Sequence, residues 1–339
     1  DSSYNNTAFN NTVFNNTQGI KLRSSSSYNN ITNNYVYNST YEGISLTSSS
    51  NYGTVSYNIL TNNTNNGIHL DASSNNQVFD NTANGSCTGI GVYSSSNYNT
   101  FANNTANKNS CQGISLGSSS NNSLTNNTAN WNAQQGIWLD SSNNNTINAS
   151  TVYNNSAHGI GLNNSSYNRI VDNYNISENN YQGILLDQYS LNNTIANNTV
   201  SFNYGDGILL QNYCNNNILL NNTVFNNTNN GIVLQGSSNY NALTNNIAYN
   251  NSQRGISIES SSNYNTLANN TAYSNTWLGI WLSTNSTNNT LTNNTASYNF
   301  DGIQIESNST YNIFTNNTAS NNTNNGIALS ANYNTFTNN

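Results

Sequence analysis

The chain has 339 residues with only 5 Lys and Arg against 12 Asp and Glu, a net charge of −7, so its solubility rests on Asn, Ser and Thr rather than on ions. There is no basic patch to neutralise phosphates, which excludes nucleic acid as a partner, and no acidic block that reads as a tail or a metal buffer. Apolar runs stop at three or four residues, far short of a membrane span.

Residues 1–18 read as an incomplete first coil. The chain contains no Met, even at position 1, and no signal peptide, so it reads as a processed or excised segment. From Gly19 a Gly-Ile or closely similar step returns at Gly43, Gly67, Gly89, Gly113, Gly136, Gly159, Gly183, Gly207, Gly231, Gly255, Gly279, Gly302 and Gly326, at intervals of 22 to 24 residues. A fixed period in this range over a whole chain marks a solenoid. It also argues against an Asn-rich disordered segment, which has no reason to hold aliphatic residues in register. Regular coils are predicted over 19–325 and an incomplete last coil over 326–339, all within one domain, 1–339.

The coil that starts at Gly255 shows the plan. Ile256 and Ile258 alternate with period two, the mark of a short strand with one buried face. Ser260 to Asn265 is a polar turn, Leu267 lies on a second strand, Asn269-Asn270 make a corner, and Ala272 lies on a third strand. The predicted fold is all-β: a right-handed parallel β-helix of about fourteen coils of 22–24 residues, three short strands to a coil. At about 4.8 Å per coil the rod would be roughly 67 Å long.

Four inward ladders are expected. Two are the Ile and Leu of the opening strand, a third runs through residues such as Ile31, Val55, Leu219 and Phe314, and a fourth through residues such as Val36, Leu60, Ala248 and Ala296. Four aliphatic side chains per coil make a thin core. Asn columns are therefore expected at the corners, because a stacked amide offers both a donor and an acceptor to the next coil. One would include Asn104, Asn127, Asn222 and Asn270, the other Asn109, Asn132, Asn227 and Asn275. The recurring Gly needs either a positive φ or a close backbone approach.

The pattern Gly-Ile-x-Leu-x-x-Ser-Ser-x-x-Asn-Thr-Ile/Leu-x-Asn-Asn-Thr resembles the NosD-like parallel β-helix repeats of periplasmic proteins and of bacterial and archaeal surface proteins. The resemblance implies an exported protein, extracellular or at the cell surface. It does not imply copper handling, because Met is absent and the His and Cys residues form no ligand cluster. No metal site and no cofactor site is expected.

Pectate-lyase-like relatives of the fold cleave acidic polysaccharides with clustered carboxylates and an outward Lys or Arg. Here Asp71, Asp140, Asp187, Glu259 and Glu306 follow the Leu ladder, never in adjacent coils. The pairs Glu259/Glu306 and Asp140/Asp187 are about two rungs, roughly 10 Å, apart with no basic residue expected on their face. Lys21, Arg23, Lys108, Arg169 and Arg254 read as scattered, and His69 and His158 as ordinary surface residues. No catalytic residues are assigned.

Cys87 and Cys111 stand one coil apart at the same position, so stacking puts their Cα atoms about 5 Å apart, and an oxidising compartment favours a disulfide. Cys214 has no partner. Leu185, Leu209 and Val233 hold the outward position of three consecutive strands. With Trp138 and Trp281 nearby they read as an exposed contact surface. Sugar stacking by the aromatic residues, such as Tyr28 with Tyr52 and Tyr240 with Tyr264, is the rival reading. Sequons recur at the corner, at Asn103, Asn126, Asn197, Asn221, Asn269, Asn293 and Asn316, too closely spaced for all to carry glycans.

The ends carry the functional expectation. The chain starts inside a turn at Ser2-Ser3-Tyr4 and stops at the corner Asn338-Asn339, without a cap, and open strand edges template another chain. The expected function is a non-enzymatic structural subunit of a surface filament, sheath or adhesin. Its expected partners are copies of itself, head-to-tail or lateral, with N-linked glycans or surface polysaccharide as further partners. The alternative is a polysaccharide-binding or polysaccharide-cleaving β-helix. Ice binding through a Thr ladder is disfavoured by the interruptions at Tyr35, Ile59, Asn175 and Ile247.

Overall fold

The computed structural model describes residues 3–306 and 308–339. Asp1 and Ser2, where the first turn was expected to open, lie outside the described residues, as does Ser307. The protein is all-β, a parallel β-solenoid of about fourteen turns. Its strands are three to six residues long. Its contacts group into two compact units, Asp1–Gly161 with Ser165–Arg169, and Leu162–Asn164 with Ile170–Asn339.

In the first unit the opening strands pair in parallel with Ile20, Ile44, Ile68, Ile90, Ile114 and Ile137 in one column and Leu22, Leu46, Leu70, Val92, Leu116 and Leu139 in the next. Ile31, Val55, Val78, Phe101, Leu124 and Ile147 stack in a second sheet. The third sheet runs through Val13, Val36, Leu60 and Ala83 and then narrows to single bridges at Thr105 and Thr128.

The second unit repeats the plan. Ile184, Ile208, Ile232, Ile256, Ile280, Ile303 and Ile327 align in the opening sheet. Ile195, Leu219, Leu243, Leu267, Leu291, Phe314 and Phe336 align in the second. The third carries Ile176, Val200, Val224, Ala248, Ala272, Ala296 and Ala319. Away from the first and last coils these ladder side chains are at most 1% exposed, so each Ile or Leu contributes about 2 kcal/mol of apolar burial.

The coil glycine is required by close approach, not by φ. A Cβ on Gly255 would lie 2.7 Å from the Ala272 Cβ and 2.7 Å from the Gly279 carbonyl oxygen. Gly255 and Ile256 therefore both face the interior, and the strict alternation of the strand breaks between them.

Both expected Asn columns are buried and hydrogen-bonded from coil to coil. In the second unit, the Asn222 Nδ2 donates to the Asn246 Oδ1 at 2.9 Å and the Asn246 Nδ2 to the Asn270 Oδ1 at 3.0 Å. In the other column, Asn227 donates to Asn251 and Asn251 to Asn275, each at 3.0 Å. The structure adds a third column inside the first turn, with Asn76, Asn99, Asn122 and Asn145 in the first unit and Asn217, Asn241, Asn265 and Asn289 in the second. A buried Ser column runs beside it, and Cys214 takes a Ser position there, its backbone N–H donating to the Ser238 Oγ.

Candidate functional site

Three rows of side chains stand on the outer face of the opening sheet. One row is the residue between the inward Ile and Leu, one follows the Leu, and one precedes the coil Gly. The last faces outward because Gly and Ile both turn in. Most of the charged residues of the chain, including Glu42, Asp71, Asp140, Asp187, Asp206, Arg254, Glu259, Asp301 and Glu306, belong to these rows.

In the second unit the middle row begins with Leu185, Leu209 and Val233. These are 4%, 4% and 2% exposed and form a buried cluster rather than the exposed contact surface expected from sequence. The flanking rows account for this, since both are laced along the solenoid. Gln182 and Asn230 donate to Asp206 on one side, and Gln235 donates to Gln211 on the other. The next members of the middle row are Ser257 and Trp281, and Trp281 is 9% exposed.

Around Trp281 lies the most developed site. The guanidinium of Arg254 sits over its ring, 3.6 Å from the centroid, and the indole N–H donates to the Glu306 Oε1 at 2.7 Å. Gln304 donates to the other Glu306 oxygen. A cleft of about 600 Å³ opens here, lined by Arg254, Trp277, Leu278, Trp281, Phe300, Asp301, Gln304 and Glu306. Trp277 and Phe300, two residues before the coil Gly in adjacent coils, are half exposed and form one rim.

The charges interact across the site. Burial pulls the Arg254 guanidinium below its ordinary value, and Glu259, Glu306 and Asp206 oppose this. Burial raises the Glu259 carboxyl, Arg254 acts against the rise and Asp206 adds to it. Among the described residues no carboxylate closes to ion-pair distance of Arg254, and its buried Nε has no hydrogen-bond partner. The pair Glu259/Glu306 therefore does share its face with a basic residue, contrary to the reading from sequence, which took Arg254 as one of five scattered basic residues. The guanidinium reads as a donor held ready for a ligand.

The first unit holds a second cluster. His69 is half-buried, its Nδ1 2.8 Å from the Asn66 amide nitrogen and 3.9 Å from the Glu42 Oε1. Burial lowers its pKa, against Glu42 and Asp71, and the Asn66 amide donates to its Nδ1. Glu42 is itself held by Gln18 and Asn65. This imidazole is held by its neighbours Asn66 and Glu42. Trp138 is half-buried, its ring filling the space above Gly161, where a Cβ would lie 2.5 Å from the ring. His158 is half-buried as well.

Cys87 and Cys111 are joined in a disulfide with Cα atoms 4.7 Å apart. The tyrosines of the first turn stack on one another, with centroids 5.1 Å apart for Tyr28 and Tyr52 and for Tyr240 and Tyr264. Each ring of a pair thus has one face covered by its neighbour. The corner residues Asn103, Asn126, Asn197, Asn221, Asn269, Asn293 and Asn316 are exposed, with φ between 53° and 57°.

No curated protein matches the chain in sequence. Among solved structures it is similar to the A-module of the Azotobacter vinelandii mannuronan C-5 epimerase AlgE6, at 14% identity and a TM-score of 0.57, covering 96% of this chain and 89% of that one. It is also similar to a double mutant of the periplasmic alginate epimerase AlgG, at 14% identity and a TM-score of 0.61, covering 92% and 79%. The A-module of AlgE4 from A. vinelandii gives 14% identity and a TM-score of 0.56, covering 95% and 90%. Likeness at this identity is one of fold. These three structures are, by name, epimerases of mannuronan or alginate, and that finding goes against the expectation of a non-enzymatic filament subunit and stands nearer the polysaccharide alternative. The model of the right-handed β-helix region matches residues 1–106, 103–247 and 221–339, and the chain belongs to that family.

Proposed function

We propose that this protein is a polysaccharide-acting enzyme that works outside the cytoplasm and holds its substrate in the cleft around Trp281. The observation that carries the reading is the convergence of Arg254, Trp281 and Glu306 in a cleft rimmed by exposed aromatic rings, with Glu259 outside the lining but near enough for its charge to interact with Arg254. Trp277 and Phe300 offer apolar faces to pyranose rings, and Arg254 and Gln304 offer donors to hydroxyl oxygens. The disulfide supports an oxidising location, and one structural relative is titled periplasmic. Within the family, the Gly-Ile-x-Leu repeat supports a NosD-like affiliation.

Hydrolysis is the reaction these groups suit. Glu259, whose burial favours the protonated form, donates its proton to the glycosidic oxygen as the C1–O bond breaks and its electron pair goes to the leaving oxygen. A water attacks C1 and gives up its proton to Glu306, which Trp281 and Gln304 orient. The two carboxyls spring from coils two rungs apart, roughly 10 Å. Their side chains can close this to the separation of about 6.5–9.5 Å that leaves room for a water.

The test is release of reducing ends from a panel of neutral, amino and acidic polysaccharides, comparing the wild type with Glu259→Gln and Glu306→Gln. A loss of about 10²–10⁴ in rate is expected for each variant. A wild type inactive on the whole panel, or Gln variants with unchanged rate, would overturn the reading.

A further inference from the structure

Resting on that reading, we propose that the cleft selects a glycan without carboxylates, built of neutral or amino sugars, and rejects uronate polymers. Arg254 is the cation of the site, and around it stand Asp206, Glu259, Asp301 and Glu306. The partners of Asp206 and Asp301 are amides, not cations. Asp206 accepts from the backbone and side chain of Asn230, and Asp301 from the Asn325 backbone and the Asn324 side chain. Nothing in these contacts cancels their charge. A uronate placed on Trp277 and Phe300 would meet one guanidinium and the carboxylates of Asp301 and Glu306, with Asp206 and Glu259 adding negative charge from beyond the lining.

Hydroxyl oxygens can take the Arg254 donors without bringing in negative charge, and an amino group would be drawn to Glu306 and Asp301. One like charge about 6 Å away at an effective dielectric of about 40 weakens binding about tenfold.

The experiment is a titration followed by tryptophan fluorescence. The probes are uncharged glucan and mannan oligomers, chitosan oligomers and oligomannuronate, applied to the wild type and to Asp301→Asn. The expected result is saturable binding of an uncharged or amino oligomer, with oligomannuronate at least about tenfold weaker. Asp301→Asn should narrow the gap at least about threefold, and raising salt should narrow it in the wild type, because added salt screens the repulsion. Oligomannuronate binding as tightly as or more tightly than every uncharged or amino probe would overturn the specificity while leaving the polysaccharide reading intact. So would a gap that responds to neither the substitution nor salt. Binding of no probe would overturn both.

Discussion

Replacing Asn270 by Ala tests whether the amide columns hold the coils together. Asn270 is fully buried, its Nδ2 donating to the Leu243 carbonyl at 2.8 Å and to the Asn294 Oδ1 at 3.0 Å. Its Oδ1 accepts from the backbone N–H of Asn246 at 2.9 Å and from the Asn246 Nδ2 at 3.0 Å. Alanine removes all four. The Asn246 Nδ2 keeps the Leu219 carbonyl, and the Asn294 Oδ1 keeps the Asn270 backbone N–H. The Asn246 N–H loses its amide partner without access to water, whereas the Leu243 carbonyl keeps the ladder bond that its register with Ala268 provides. At about 1–3 kcal/mol for a buried group left unsatisfied, the expected loss is about 1–3 kcal/mol.

A neighbouring substitution gives the contrast. Asn269 is exposed with φ 56°, so Asn269→Gly should stay within about 0.5 kcal/mol of the wild type. The assay is urea unfolding followed by far-UV circular dichroism, with hydrogen exchange at the Asn246 and Asn270 amides, because a solenoid can open locally before it unfolds. An Asn270→Ala variant within about 1 kcal/mol of the wild type, or an Asn269→Gly variant equally destabilised, would refute the role assigned to the column.

Two further outcomes are expected. Burial raises the Glu259 carboxyl above the ordinary 4.5, so the folded state binds this proton more tightly than the unfolded chain does. The associated stability is fully present below the ordinary value and is lost as pH rises through the folded one. Glu259→Gln should therefore gain stability over the wild type between pH about 4 and 7, and a difference in urea midpoint that does not change with pH would count against it. The Cys214 thiol is buried and pushed up to about 12, so iodoacetamide should leave the native protein unmodified at pH about 8 and add one adduct after unfolding, as read by intact mass. Rapid native alkylation would contradict the buried placement.

The period of Gly, Ile and Leu made the coil, its inward ladders and two of the three Asn columns legible, because each of those positions answers to the interior alone. The third column went unread because its members sit in a stretch rich in Ser and Asn that looks like an ordinary polar turn until stacking buries it. The site was harder to see. Arg254 read as one of five scattered basic residues, because a glycine, with no side chain to betray its direction, hides the break in alternation that turns Arg254 outward beside Glu259 and Glu306. Leu185, Leu209 and Val233 were correctly placed outside the barrel, but outside is not exposed when Gln and Asp rows close over the middle row.

The Asn columns have one more property. In the two corner columns of the second unit, the Nδ2 donates toward the next coil and the Oδ1 accepts from the previous one, so these amide dipoles all point the same way. Turning one amide over would set an NH₂ group against an NH₂ on one side and oxygen against oxygen on the other. No member can reverse alone, and polarisation along the file strengthens each bond in it. These two columns are thus ordered arrays whose orientation changes as a whole or not at all, and they give that unit an axial electrical polarity without a single ion.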